Sequence, residues 1–212
     1  MNRENYFEEW SEYHGEASIT GIVRAWLTLS FLLSRPLVKI KISPNLLSIL
    51  GAVAALFTYL QARSSYCIIF LSISILCDGI DGTVAILSGL ASKRGAMLDA
   101  LCDRVSETFW ALALFKLGAP AWLVGSAWVF AFTQEYARAR ISGLGDIRID
   151  IITIAERPVR AAFLAVALLA YEFKIAAVTI LTAVWCIQQG IALVTVMRSG
   201  YNRLHSSNGI GN

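Results

Sequence analysis

An all-α membrane protein, with six transmembrane helices and an N-terminal amphipathic interfacial helix, is the fold class this sequence predicts. Three observations lead there. Hydrophobic residues make up 57% of the 212 residues and charged residues only 16%, too little polar surface for a soluble core of this size. The apolar residues fall into blocks near the roughly 20 residues that span a bilayer as a helix. The basic residues are also distributed unevenly between the two sides those blocks would define.

The blocks run Pro44–Gln61, Tyr66–Ala85, Gly95–Leu117, Pro120–Arg140, Arg157–Glu172 and Ile175–Met197. Short connections make the first and second, third and fourth, and fifth and sixth antiparallel neighbours. One side then carries Arg3, Arg24, Arg35, Lys39, Lys41, Lys93, Arg94, Arg138, Arg140, Arg148, Arg157, Arg160, Arg198 and Arg203, and the other only Arg63, Lys116 and Lys174. The basic side is expected to be cytoplasmic, which places both termini there and the protein in the cell membrane as a multi-pass chain. Met1–Glu16 is acidic and aromatic, without the basic start or apolar stretch of a secretory signal. Ala17–Ile42 is apolar but interrupted by Arg24, Arg35, Pro36, Lys39 and Lys41. Trp26, Leu29, Leu32 and Leu33 fall on one helical face, as in a helix lying in the membrane interface. The expected organisation is an N-terminal segment 1–43, a six-helix catalytic domain 44–200 and a flexible tail 201–212. Cys67, Cys77, Cys102 and Cys186 sit inside apolar blocks without metal-site spacing and read as small buried residues.

Four acids break the apolar pattern. Asp78 and Asp81 close the second block, and Asp99 and Asp103 open the third. Spacings of i, i+3 and i, i+4 put each pair on one helix face, and the short link between the blocks brings both pairs to one level. Two unit charges about 5 Å apart repel by roughly 3 kcal/mol at an effective dielectric near 20. Each carboxylate also costs about 2.5–3.5 kcal/mol in a helix centre. Divalent cations with oxygen ligands, Mg²⁺ or Mn²⁺, offset both, and two of them about 4 Å apart could clamp a phosphoryl group. Gly79, Gly82 and Gly95 are interleaved with the acids and would let a bulky ligand approach the backbone. An ion channel or transporter would also place acids in the membrane, but the outer halves of these blocks are almost purely Ala, Leu, Ile and Val, which leaves no polar path across.

The run Asp78-x-x-Asp81-Gly82-x-x-Ala85-x₉-Gly95-x-x-x-Asp99-x-x-x-Asp103 resembles the signature of the CDP-alcohol phosphotransferase family. Ser43-Pro44-Asn45-Leu46-Leu47-Ser48 resembles the start of that family's first span, and the likeness extends over about residues 36–200. The resemblance implies a phosphatidyltransferase that moves a phosphatidyl group from CDP-diacylglycerol to an alcohol. It implies Asp78, Asp81, Asp99 and Asp103 as ligands of two Mg²⁺ or Mn²⁺ ions, with Asp103 also the general base. Asn45, Ser48, Gly82, Ser92 and Gly95 would surround the CDP-lipid. A homodimer in the bilayer is expected by the same likeness, and no nucleic acid as partner. One position departs from the pattern: Ile86 stands where the family carries an arginine implied to contact the diphosphate. Lys93 or Arg94 in the same loop is expected to substitute, and a non-catalytic member is the alternative.

Arg138, Arg140, Arg157, Arg160 and Arg198 lie at three helix ends that the topology brings to one side. Arginine suits phosphate by bidentate geometry, so the acceptor alcohol is expected to be phosphorylated. Arg138 and Arg157 lie nearest the aspartates in this reading. The runs Glu156-Arg157-Pro158-Val159-Arg160 and Leu98–Arg104 resemble phosphatidylinositol phosphate synthases more than phosphatidylglycerophosphate synthases. They favour inositol phosphate over glycerol 3-phosphate.

Overall fold

The computed structural model describes residues 1–13, 18–144 and 153–208. Glu16, Ala17, Arg148 and the last four residues of the tail lie outside them. Among the described residues all regular structure is helical, with no strand. The helices are α1 (Arg3–Tyr13), α2 (Gly21–Lys39), α3 (Pro44–Leu60), α4 (Cys67–Ser88), α5 (Lys93–Lys116), α6 (Ala121–Gly143), α7 (Arg157–Glu172) and α8 (Val178–Asn208). Helices α3 to α8 match the six blocks within a few residues at most ends. The exception is α8, which continues past Met197 through Asn208. The segment from residue 201, expected to be loose, is therefore helical as far as it is described.

Local chemistry fixes the helix ends. Pro44 opens α3, where a missing N–H costs nothing, and the Ser43 carbonyl accepts from the amides of Leu46 and Leu47. Four helices close in the same way: a residue with positive φ follows the helix, and two amides turn back onto the last carbonyls. Gly89 (φ 67°) ends α4, with its own N–H on Ile86 and that of Leu90 on Ala85. Gly118 (φ 107°) ends α5 likewise, while Lys41 and Lys174 take this strained position after α2 and α7.

Two helices are long and apolar enough to cross a membrane, Cys67–Ser88 and Val178–His205. Val23–Lys39 and Pro44–Leu60 pass the same test together but meet at 112°. The remaining helices fall short for physical reasons. α7 has 16 residues, α6 carries Glu135, Arg138 and Arg140, and α5 holds Asp99, Asp103, Arg104 and Glu107 among its apolar residues.

The chain forms two compact units, Met1–Leu56 with Ile69–Ser106, and Phe57–Ile68 with Glu107–Asn212. In the first, Leu27, Phe31, Ser30 and Ser34 form the buried face of α2, spaced at helical period, while Trp26, Leu29, Leu32 and Leu33 are exposed. Leu29, Leu32 and Leu33 of the apolar face read from the sequence thus face outward, Trp26 is partly covered by α4 at Gly79, and a second face packs inward. Tyr6 and Phe7 of α1, Leu27 and Phe31 of α2, and Ile86 of α4 make one core cluster. The Arg24 guanidinium lies 5.8 Å from the Phe7 ring centre and that of Arg35 5.6 Å from Phe31, so both charges rest on aromatic faces at the cluster's edge.

In the second unit, α6 packs along α8. Arg160 of α7 is 3% exposed. It donates to Glu107 at 2.8 Å, to Glu135 at 2.7 Å and to the Ala155 carbonyl at 2.8 Å. Arg138 makes a two-pronged bond with Glu156, at 2.6 and 3.1 Å. Burial works against the charged form of Glu156. Bonds from Arg138 and the Thr153 amide outweigh it and hold the carboxyl below its ordinary value of 4.5. A depressed carboxyl contributes stability that is complete above the unfolded value and lost as pH falls through the folded one. Thermal midpoints are therefore expected to fall below about pH 4.5, with a smaller fall in Glu156→Gln.

Candidate active site

Helices α3, α4 and α5 bring their polar residues to one pocket of about 700 Å³. Of the residues the sequence singles out around the acids, Asn45, Ser48, Asp78, Gly79, Asp81, Gly82, Ile86, Ser92, Lys93, Gly95 and Asp99 line it. Asp103 joins through the carboxylates: Asp78, Asp99 and Asp103 each offer an oxygen within 4.8 Å of the others. Asp81 is 5% exposed and fixed in orientation. Ser48 Oγ donates to its Oδ2 at 2.5 Å and the Gly82 amide to its Oδ1 at 2.6 Å. Asp81 lines the same pocket as Asp78 and Asp99. Carboxylates gathered this way share a proton or a cation, and hard oxygen donors in such a group suit Mg²⁺ or Mn²⁺. The donor set therefore fits a divalent metal.

Residue types near the acids have separable reasons. Ser48 spans α3 to α4 and aims Asp81, more than the capping of α3 would require. Gly82 borders open space, and a Cβ there would meet nothing within 4 Å. A Cβ on Gly95 would lie 3.2 Å from Ser92 Oγ and 3.3 Å from Asn45 Oδ1, so Gly95 lets these two polar groups converge. Gly79 also lines the pocket. Its free side packs against Trp26, whose Cζ2 would lie 2.5 Å from an added Cβ. It accommodates the tryptophan of α2 that lines the same pocket.

Ile86 is 5% exposed within the cluster of Tyr6, Phe7, Leu27 and Phe31. Ile86 also lines the carboxylate pocket. An arginine held among the rings would bury its guanidinium at a cost of several kcal/mol. Ile86→Arg is therefore expected to lower the thermal midpoint of the purified protein, and an unchanged midpoint would mean that its guanidinium reaches the pocket instead. Of the two basic residues expected to substitute, Lys93 lines the pocket, and Arg94 is exposed.

The five arginines divide. Arg138 and Arg160 are committed to Glu156, Glu107 and Glu135. Arg157 stacks on Trp110 at 5.4 Å and lies 4.0 Å from Glu107. Arg140 and Arg198 are exposed. Sequence reasoning overlooked Glu107 and Glu135, although ionisable groups inside apolar blocks are a signal. It also overlooked Trp10, Tyr13, Trp26 and Thr83, which line the carboxylate pocket.

The CDP-alcohol phosphatidyltransferase family model matches residues 41–197. The chain belongs to this family. Among its relatives, an archaetidylinositol phosphate synthase of Pyrococcus horikoshii is 30% identical over 135 residues, 59% of this chain and 70% of that one. A phosphatidylinositol phosphate synthase of Corynebacterium glutamicum is 30% identical over 118 residues, 49% of this chain and 53% of that one. The chain therefore spans between about half and seven tenths of these relatives. The crystal structure of Mycobacterium tuberculosis phosphatidylinositol phosphate synthase with CDP-DAG bound superposes with a TM-score of 0.67 at 20% identity, covering 82% of this chain and 94% of that one. The same mycobacterial enzyme in complex with manganese and citrate gives a TM-score of 0.68 at 20% identity, covering 81% and 88%. This family member shares their fold.

Proposed function

We propose that this CDP-alcohol phosphatidyltransferase moves the phosphatidyl group of CDP-diacylglycerol onto an inositol phosphate, giving phosphatidylinositol phosphate and CMP. The observation that carries the reading is a pocket lined by Asp78, Asp81 and Asp99, with Asp103 grouped with two of them, in a chain whose relatives include inositol phosphate synthases. The protein would sit in the cell membrane with six spans, its pocket and both termini on the cytoplasmic side, as a homodimer. Positive charge on one side of the expected topology supports that orientation.

Asp78, Asp81, Asp99 and Asp103 would hold two divalent cations, Mg²⁺ or Mn²⁺, which neutralise charge on the diphosphate and on the departing nucleotide when bound. Ser48 and the Gly82 amide keep Asp81 oriented for that duty. Asn45, Ser92, Gly95 and Lys93 would receive the nucleotide, with Lys93 supplying positive charge in the loop that lacks the family's arginine. Asp103 would take the proton of the acceptor hydroxyl. The acceptor oxygen then bonds to the phosphatidyl phosphorus while the bond from that phosphorus to CMP breaks, and CMP leaves with the electron pair.

For the acceptor's phosphate, the exposed Arg140 and Arg198 rank ahead of Arg138, Arg157 and Arg160, whose charges lie against carboxylates. A hydrogen bond to a charged group contributes about 1.5–3 kcal/mol. Changing a contacting arginine to Gln should therefore raise the acceptor KM about ten- to a hundredfold and leave the CDP-diacylglycerol KM in place. Initial rates with inositol phosphate, glycerol 3-phosphate and unphosphorylated inositol test this reading. Equal use of unphosphorylated inositol would remove the phosphate requirement.

A further inference from the structure

The family match begins at residue 41, yet the carboxylate pocket has walls that precede it. α1 is a short polar helix, and a helix of 11 residues is marginal by itself. Its inner face docks it. Tyr6 is 0% exposed and its hydroxyl is 2.9 Å from that of Thr83 on α4, itself a pocket residue. Phe7 packs in the same cluster as Ile86. Trp10 and Tyr13 follow Tyr6 at i+4 and i+7, on the anchored face, and both line the pocket.

We propose that α1 is part of the donor site, and that Trp10 and Tyr13 hold the cytosine ring of the CDP-lipid by stacking. The proposal rests on the CDP-lipid reading above. Two observations favour the base over an acyl chain as the occupant of this wall. The outer face of α1 presents Glu4, Glu8 and Glu12 to the surroundings, which suits water and not lipid tails. Beside the aromatic wall, Asn45, Ser92 and Lys93 supply hydrogen-bonding groups for the edge of a ring and for phosphate, and Asp78, Asp81 and Asp99 border the same pocket for a metal-bound diphosphate. Flat faces, polar groups and acids in one cavity match a pyrimidine nucleotide.

The test uses CMP, which has the base and no lipid, with the full purified chain and Mg²⁺. Trp10→Leu keeps apolar bulk and removes the π face, and Trp10→Phe keeps a face. Base–aromatic stacking contributes about 1–3 kcal/mol. Trp10→Leu and Tyr13→Ala should therefore weaken CMP binding about five- to 150-fold, with Trp10→Phe within about threefold of the parent. The CDP-diacylglycerol KM should rise in parallel, with kcat and the acceptor KM retained. CMP affinity equal in Trp10→Leu and the parent would overturn the stacking role while leaving the donor reading intact. A raised CDP-diacylglycerol KM with unchanged CMP affinity would assign the wall to lipid and also overturn it. A parent protein that neither binds CMP nor turns over CDP-diacylglycerol would remove the donor reading, and this proposal with it.

Discussion

Asp103→Asn should lower turnover by about 10²- to 10⁴-fold, the usual contribution of a general base, with CMP binding near that of the parent. Asparagine keeps the shape of the side chain and one oxygen for a cation, but its amide cannot take a proton from the acceptor hydroxyl. Asp103 shares its group with Asp78 and Asp99, so loss of a carboxylate alone would not single it out. The separation does: Asp78→Asn should weaken metal dependence and donor binding together, while Asp103→Asn should affect mainly kcat. Single-turnover CMP release with saturating donor measures the difference. A rate near the parent's for Asp103→Asn would assign the base elsewhere.

Arg160→Met should lower the thermal midpoint by on the order of 10 °C, because removing one partner of a buried pair costs about 3–5 kcal/mol. Arg160 is 3% and Glu107 7% exposed, and Glu135 shares the same guanidinium. The loss comes chiefly from carboxylates left buried without their base. Glu107→Gln combined with Glu135→Gln should recover much of it in the Arg160→Met background, because neutral amides need no counter-charge. If Arg160 instead served acceptor phosphate, Arg160→Met would raise the acceptor KM with little change in midpoint, and the double Gln background would not rescue it.

The contrast between these residues explains what the sequence makes legible. Asp78, Asp81, Asp99 and Asp103 stand out because four carboxylates fall where two apolar blocks meet, and their spacing alone puts each pair on one face. Arg160 does not stand out from Arg198, because an arginine near a helix end reads the same whether it anchors, pairs or binds. Its partner Glu107 is 53 residues away in sequence. The blocks that become α3 to α8 are legible from hydropathy, with ends marked by Pro44, Gly89 and Gly118. α1 is not: its buried Tyr6 and Phe7 and half-buried Trp10 are scattered among acids, and the face they make has meaning only against Thr83 and Ile86. Ile86 reads as a missing arginine in the sequence and as a core residue in the fold.

CMP release by the purified protein, reconstituted with CDP-diacylglycerol and inositol phosphate, tests the central claim most directly. The account predicts release that requires both the acceptor and Mg²⁺ or Mn²⁺, ceases in excess chelator and returns when the cation is restored. Full release in excess chelator, or none with any phosphorylated acceptor in the presence of either cation, would contradict it.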